Sequence, residues 1–131
     1  MTRLLFDTTF LIDTERGGHD LDDLVHDDDD VAVAAITIAE LRVGALLADR
    51  RRRVARTAYV DDIASTVPIL PYDIDTAEAH AELLAAVRRQ GRPRGAHDVI
   101  IAATAKASAR TVLSADATAF ADLPGVSVRP H

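Results

Sequence analysis

The sequence predicts an α/β protein, a three-layer α/β/α sandwich around a five-stranded, mainly parallel sheet. Two patterns predict it. Short apolar runs of strand length alternate along the chain with helical stretches, the order that builds parallel sheets covered on both faces. The stretch from Asp98 to Ala109 is also apolar nearly all round (Val99, Ile100, Ile101, Ala102, Ala103), as a helix enclosed in a core must be.

The elements follow in order. Arg3 to Phe6 reads as a short buried strand, and Leu11 to Thr14 and Asp20 to His26 as short helical pieces. Val31 to Ile36 is a second strand, followed at once by a helix through Leu41, Ala45 and Ala48. Val54 to Ser65 reads as a helix and Val67 to Leu70 as a third strand, which Pro68 sends to the sheet edge because it cannot donate to a ladder. Asp73 opens a helix with apolar residues at helical spacing (Ile74, Ala77, Ala81, Leu84, Val87) and a polar face of Glu78, Glu82, Arg88 and Arg89. Gln90 to Gly95, with its Gly and Pro breakers, is the clearest loop. Thr111 to Ser114 and Val126 to Val128 supply two more strands. No repeat or linker interrupts the series, so residues 1–131 read as a single domain. Right-handed crossovers place the helices, and ligands bind beyond the carboxyl ends of the strands.

Composition narrows the function. A chain of 131 residues with 48% hydrophobic content can bury a sizeable core, and the absence of Trp leaves that core to Ala, Val, Leu and Ile. With no cysteine, disulfides, thiol chemistry and sulfur-ligated zinc are excluded. No apolar run reaches the ~18 residues a bilayer span needs. Asp7 interrupts the first apolar run too early for a signal peptide, so a cytoplasmic protein with no membrane contact is expected. A net charge of −6 counts against a passive nucleic-acid binder, though not against an enzyme whose own acidic cluster supplies part of the deficit. The arginines are bunched at 50–53 with Arg56, and again at Arg88, Arg89, Arg92 and Arg94. Such groups either hold phosphates or form solvated helix ends.

Four carboxylates stand out. Asp7 directly follows the first strand, and Asp116 lies two residues past Ser114 at the end of the fourth. Glu40 and Asp98 are expected in the first turns of the helix after the second strand and of the apolar helix. In a parallel sheet all four fall on one edge. The denser run Asp27 to Asp30 precedes the second strand, so it falls at the opposite edge and reads as a solvated loop. Each of the four has an ordinary explanation. Thr37-Ile38-Ala39-Glu40 matches a capping box, and Asp98 suits a helix amino end. Asp116 suits the cap of a short helix over 117–121, and Asp7 a turn or a cap before Thr8. Four unrelated caps, however, have no reason to share one edge. Carboxylates gathered there raise one another's pKa until a cation removes the repulsion. Oxygen ligands without Cys or a His pair suit magnesium or manganese. Such ions activate water and polarise phosphoryl oxygens, the chemistry of phosphodiester hydrolysis.

Segments 5–12 (Leu-Phe-Asp-Thr-Thr-Phe-Leu-Ile), 36–44 (Ile-Thr-Ile-Ala-Glu-Leu-Arg-Val-Gly) and 97–105 (His-Asp-Val-Ile-Ile-Ala-Ala-Thr-Ala), then Leu113-Ser114-Ala115-Asp116 with Phe120 and Pro124-Gly125-Val126, span nearly the whole chain. In this order they resemble the PIN-domain ribonuclease toxins of VapB–VapC toxin–antitoxin systems. The resemblance implies a parallel five-stranded sheet between helices, usually in a homodimer. It implies a magnesium-dependent endoribonuclease, in which Asp7, Glu40, Asp98 and Asp116 bind one or two ions and cleave RNA, with manganese as a substitute. Asp7 and Asp98 match the positions most directly tied to metal; Glu40 and Asp116 complete the site. Thr8 and Thr9 stand where the family places hydroxyls that bond a carboxylate or bound water, and Ser114 where Thr is commoner. A VapB-type antitoxin is expected to wrap the toxin and obstruct the site with a basic side chain.

Secondary candidates are Arg94, for an RNA phosphate or simply a solvated loop, and His97, as an acid–base group or a helix cap. Arg42 suits a surface pair, and His19, His26 and His80 lack ligand spacing. Two other classes remain in view. One is a noncatalytic PIN-like binding module. The other is an aspartate phosphotransfer or phosphatase domain, although Thr9 occupies the place of the phosphatase's second Asp, and the single lysine, Lys106, lies within the apolar helix rather than near a strand end.

Overall fold

A computed structural model describes residues 1–17 and 23–131. The elements run β1 (Arg3–Phe6), α1 (Thr8–Gly17), β2 (Asp30–Ala34), α2 (Ala35–Leu47), α3 (Arg50–Thr66), β3 (Ile69–Leu70), α4 (Ile74–Gln90), α5 (Ala96–Ala107), β4 (Thr111–Ser114), a 3-10 turn (Ala117–Phe120) and β5 (Val128–Pro130). The five strands form one sheet in the order β3-β2-β1-β4-β5, every neighbouring pair parallel. The chain winds outward from β1 to β3, then crosses to β4 and winds the other way. The carboxyl ends of β1 and β4 therefore flank the topological switch point, where open α/β sheets bind their ligands.

Strand alternation divides the core. Leu4, Phe6, Val33 and Leu113 point to one face and meet Phe10, Leu41, Val60 and Ile63 of α1, α2 and α3. Leu5, Ala32 and Val112 point to the other and meet Leu83, Val99, Ile101 and Ala105 of α4 and α5. Each large side chain buried this way contributes roughly 1.5–3 kcal/mol. Ala102, Ala103 and Ala105 are fully buried, so α5 lies close against the sheet with little side chain between. Pro68 precedes the two-residue edge strand β3, and its carbonyl accepts from Val33 N–H at 3.0 Å.

Several boundaries differ from expectation. The helix α2 starts at Ala35, so Ile36 belongs to it and not to the strand. The first helix starts at Thr8, directly after β1. Of the helical piece expected over 20–26, residues 20–22 lie outside the described residues, as does His19, and 23–26 form no α-helix. The arginine run opens α3 instead of preceding it, and Asp49 caps that helix by accepting from Arg52 N–H at 3.0 Å. Along α4 the buried stripe is Thr76, Ala79, Leu83 and Val87, whereas Ile74 is 73% exposed. A helical period fits both stripes, and packing against α5 selects the one that carries Leu83. Gly91, at φ 68°, ends α4 in the left-handed conformation a glycine adopts most easily. The last strand lies two residues later than expected, with Pro130 tolerated at a sheet edge.

Among the described residues no helix is long and apolar enough to cross a membrane. At the amino edge of the sheet, Asp30 opens β2 and pairs with Arg110 at 3.0 Å and Arg3 at 3.7 Å. The acidic run thus lies opposite the strands' carboxyl ends, and part of its charge is compensated.

Candidate active site

Phe6 stands in register with Val33 and Leu113, which brings the ends of three strands level. The next residue, Asp7, is pinned there by its N–H, which donates to Leu113 O at 3.1 Å. Its side chain is 1% exposed. Oδ1 accepts from Phe10 N–H at 2.8 Å, so Asp7 caps α1. Thr9 Oγ1 lies 2.9 and 3.0 Å from the two carboxylate oxygens, and Ser114 Oγ donates to Oδ2 at 2.7 Å. Three donors against the roughly four acceptor sites of a carboxylate leave one direction open. Burial pushes the Asp7 carboxyl above its ordinary value, and the charge of Asp116 adds to this; the hydrogen bonds from Ser114, Phe10 and Thr9 pull the other way. Cap and candidate ligand are here one residue.

Because α2 starts at Ala35, Glu40 sits in its second turn, and no capping box forms: the cap position is Ala34. Glu40 is held from two other helices instead. Thr8 Oγ1 donates to its Oε1 at 2.7 Å, and His97 Nδ1 lies 3.2 Å from its Oε2. The hydroxyl of the buried Thr37 faces that of Thr8 at 3.4 Å.

Asp98 lies in the first turn of α5 and is half-buried. Among the described residues nothing donates a hydrogen bond to its carboxylate. Burial first, then the charges of Glu40, Asp7 and Asp116, raise its pKa, with His97 opposing. Gly95 makes room for it: a Cβ there would stand 2.7 Å from Asp98 Oδ2.

Asp116 directly precedes the 3-10 turn; its carbonyl accepts from Ala119 N–H at 3.2 Å, while its side chain does not cap the turn. Its Oδ1 accepts from Thr118 Oγ1 at 2.8 Å, and its N–H donates to Ser114 Oγ at 2.9 Å. Ser114 therefore joins two of the four acids. A pocket of about 370 Å³ lies between the last two, lined by Arg94, Gly95, Asp98, Asp116 and Thr118.

The four carboxylates share one edge, where Asp98 feels the charges of Glu40, Asp7 and Asp116, and Asp7 that of Asp116. Even so, among the described residues no three acidic or histidine side chains close tightly enough to enclose an ion. The donor set still fits a hard divalent cation, because the Asp98 carboxylate has three acids around it and no hydrogen-bond donor. Several cations of the chain are engaged elsewhere. Lys106 Nζ bonds Glu82 at 2.7 Å, and Arg42 pairs with Asp61 at 2.9 Å. Arg94 is not a solvated loop residue: its guanidinium bonds three carbonyls, those of Thr118, Ala119 and Ala121. From the other bunch, Arg51, Arg52 and Arg56 line a groove of about 640 Å³ between α1, α2 and α3, with Glu40 at its edge. The pairing of His97 with Glu40 had no sequence signal beyond adjacency to Asp98, since 57 residues separate the partners.

The PIN domain family model matches residues 4–126. This chain belongs to the PIN-domain family, among its VapC-type members. Ribonuclease VapC5 of Mycobacterium tuberculosis is 36% identical over 124 residues, 94% of this chain and 89% of that one. VapC ribonuclease Y4jK of Sinorhizobium fredii is 34% identical over 92 residues, 67% of this chain and 66% of its own length. Among solved structures, that of VapBC-5, a member of the VapBC family of toxin–antitoxin systems from M. tuberculosis, superposes with a TM-score of 0.82 at 30% identity, covering 100% of each chain. The PIN-domain match leaves no place for an aspartate phosphotransfer or phosphatase fold.

Proposed function

We propose that this PIN-domain protein is a magnesium-dependent endoribonuclease, the toxin of a type II toxin–antitoxin pair, which hydrolyses RNA phosphodiesters. The carrying observation is the half-buried Asp98 carboxylate, which has no hydrogen-bond donor among the described residues and whose pKa is raised by burial and by the charges of Glu40, Asp7 and Asp116. Magnesium, or manganese in its place, would relieve that repulsion. Asp7 and Asp98 would hold the ion, with Glu40 and Asp116 completing its surroundings. Bound there, it supplies an activated water and charge for the phosphoryl oxygens.

The chain's own residues prepare the site. Phe10, Thr9 and Ser114 fix the Asp7 carboxylate and leave it one open direction. Thr8 and His97 fix Glu40 from two sides. The pocket of about 370 Å³ beside Asp98 and Asp116 would admit the scissile phosphate. A VapB-type antitoxin, a homodimeric assembly and a cytoplasmic setting belong to the same reading. It draws support from relatives named as VapC ribonucleases and from a neighbour solved as a VapBC system.

The test is digestion of RNA with the products' 5′ ends mapped, in magnesium and in EDTA. Cleavage that needs the ion and leaves 5′-phosphates, and is abolished in Asp98→Asn and Asp7→Asn proteins of unchanged circular dichroism, is the expected result. An Asp98→Asn protein that cuts as fast as the parent would falsify the assignment. A noncatalytic PIN-like module is the second reading, favoured because among the described residues no three acidic or histidine side chains close on an ion. Calorimetric titration separates the two, because a scaffold need not bind manganese.

A further inference from the structure

The loop between α4 and α5 does more than connect them. Arg94 Nη1 donates to Thr118 O at 3.2 Å and to Ala119 O at 3.1 Å, and Nη2 donates to Ala121 O at 2.6 Å. Thr118 and Ala119 lie in the 3-10 turn and Ala121 ends it; Thr118 O also accepts from Ala121 N–H at 3.3 Å, and the last carbonyls of such a turn need partners from outside it. A guanidinium is a rigid planar fork of donors, so three acceptors in one turn fix its orientation as well as its position. Two further bonds reinforce the seam. Arg92 Nη2 lies 3.2 Å from Asp122 Oδ2, and Gln90 Nε2 donates to Asp122 O at 3.2 Å. Asp122 itself adopts φ 62°, so the end of the braced segment is held in a conformation that few residues choose freely.

The seam has a particular location. Asp116 stands two residues before Thr118, and Asp98 four residues after Arg94. Between Arg94 and Asp98 lies Gly95, whose missing side chain gives the Asp98 carboxylate its room. Both acids line one pocket, together with residues 92–95 of this loop and Thr118 and Ala119 of the turn. We infer that Arg94 is a positioning residue, which sets the separation of Asp98 and Asp116 by bracing the 3-10 turn against the α4–α5 loop. It acts through those carboxylates and not by touching RNA. The inference rests on the metal-site reading proposed above.

The experiment compares the full-length parent with Arg94→Ala and Arg94→Lys, by amide hydrogen exchange over residues 116–121 and by calorimetric titration with manganese alone. Exchange at Asp116 and Ala119 should speed up in Arg94→Ala. Manganese affinity should fall by ~10-fold or more, the usual effect of removing a group that orients a ligand. Lysine, which can meet only part of the acceptor set, should recover part of both. Added to Asp116→Asn, Arg94→Ala should change manganese affinity little, because the carboxylate it positions is already gone. A merely structural role would lower affinity equally in both backgrounds and overturn the inference. So would unchanged exchange, or loss of RNA affinity with manganese binding intact. A parent that binds no manganese sinks the metal reading separately, and exchange still decides whether Arg94 holds the turn.

Discussion

Ser114 donates its hydroxyl hydrogen to Asp7 Oδ2 at 2.7 Å across 107 residues of sequence, fastening the end of β4 to the end of β1. Ser114 Oγ in turn accepts from Asp116 N–H at 2.9 Å. One fully buried hydroxyl thus serves two of the four acids. Removing it leaves a buried carboxylate and a backbone N–H each short of a partner, which costs on the order of 1–3 kcal/mol. The Asp7 pKa would also rise further with a stabilising donor gone. We predict that Ser114→Ala unfolds at lower urea concentration and binds manganese more weakly, whereas Ser114→Thr keeps most of both. Equal stability and equal affinity in the alanine protein would mean that the hydroxyl is idle.

The raised pKa of Asp98 gives a prediction with a definite sign. The folded protein favours the protonated acid, so its stabilising contribution is present below the ordinary value of 3.8 and is lost as pH rises through the higher folded value. Asparagine mimics the neutral form. In EDTA at neutral pH, Asp98→Asn should therefore melt at a higher temperature than the parent, and the gap should shrink as pH falls through the Asp98 titration. Manganese should reverse the order. An ion at a hundredfold excess over its dissociation constant stabilises the protein that binds it by about 2.7 kcal/mol. Melting curves at several pH values, with and without manganese, check both halves. A parent more stable than the variant in EDTA at neutral pH would show that the carboxylates do not repel.

The edge on which these acids meet was legible in the sequence because strand ends in a parallel sheet fall on one side, whatever the helices do. Finer placement was not. From Val31 to Ile36 the chain is apolar without a break, and a buried parallel strand and a buried helix look alike over such a run. The start of α2 at Ala35 was therefore missed, and with it the turn that carries Glu40. In α4 the alanines left two stripes equally plausible, and only contact with α5 decides between them. The partners of Arg94 are carbonyls 24 to 27 residues away, and carbonyls carry no residue-type signal at all. A long-range bond to backbone is the kind of contact a sequence hides best.

Gly95 offers a test in which stability and site part company. Its φ of −58° is open to any residue, so alanine brings no backbone strain. Its Cβ would nevertheless stand 2.7 Å from Asp98 Oδ2, too close for contact, and the carboxylate must swing away. We predict that Gly95→Ala melts within a few degrees of the parent yet loses most manganese affinity and RNA cleavage. Unchanged cleavage would show that Asp98 works equally well from another rotamer.

Arg110 provides the converse, at the far edge of the sheet. Its Nη1 donates to Leu4 O at 3.2 Å, Asp30 O at 2.8 Å and Asp30 Oδ1 at 3.0 Å, tying β1 and β2 to the residue before β4. The side chain is 8% exposed, and its Nε is buried with no acceptor. Breaking a fully buried pair from one side costs about 3–5 kcal/mol. The Asp30 side chain is 34% exposed and can rehydrate, so Arg110→Ala should cost about 2–3 kcal/mol in urea unfolding. Methionine in its place should cost less than alanine, because it fills the same channel without a charge to desolvate. Cleavage per folded molecule should stay at the parent level in both, since the site lies at the opposite ends of the same strands. A drop in cleavage at matched folded fraction would instead couple the two edges of the sheet.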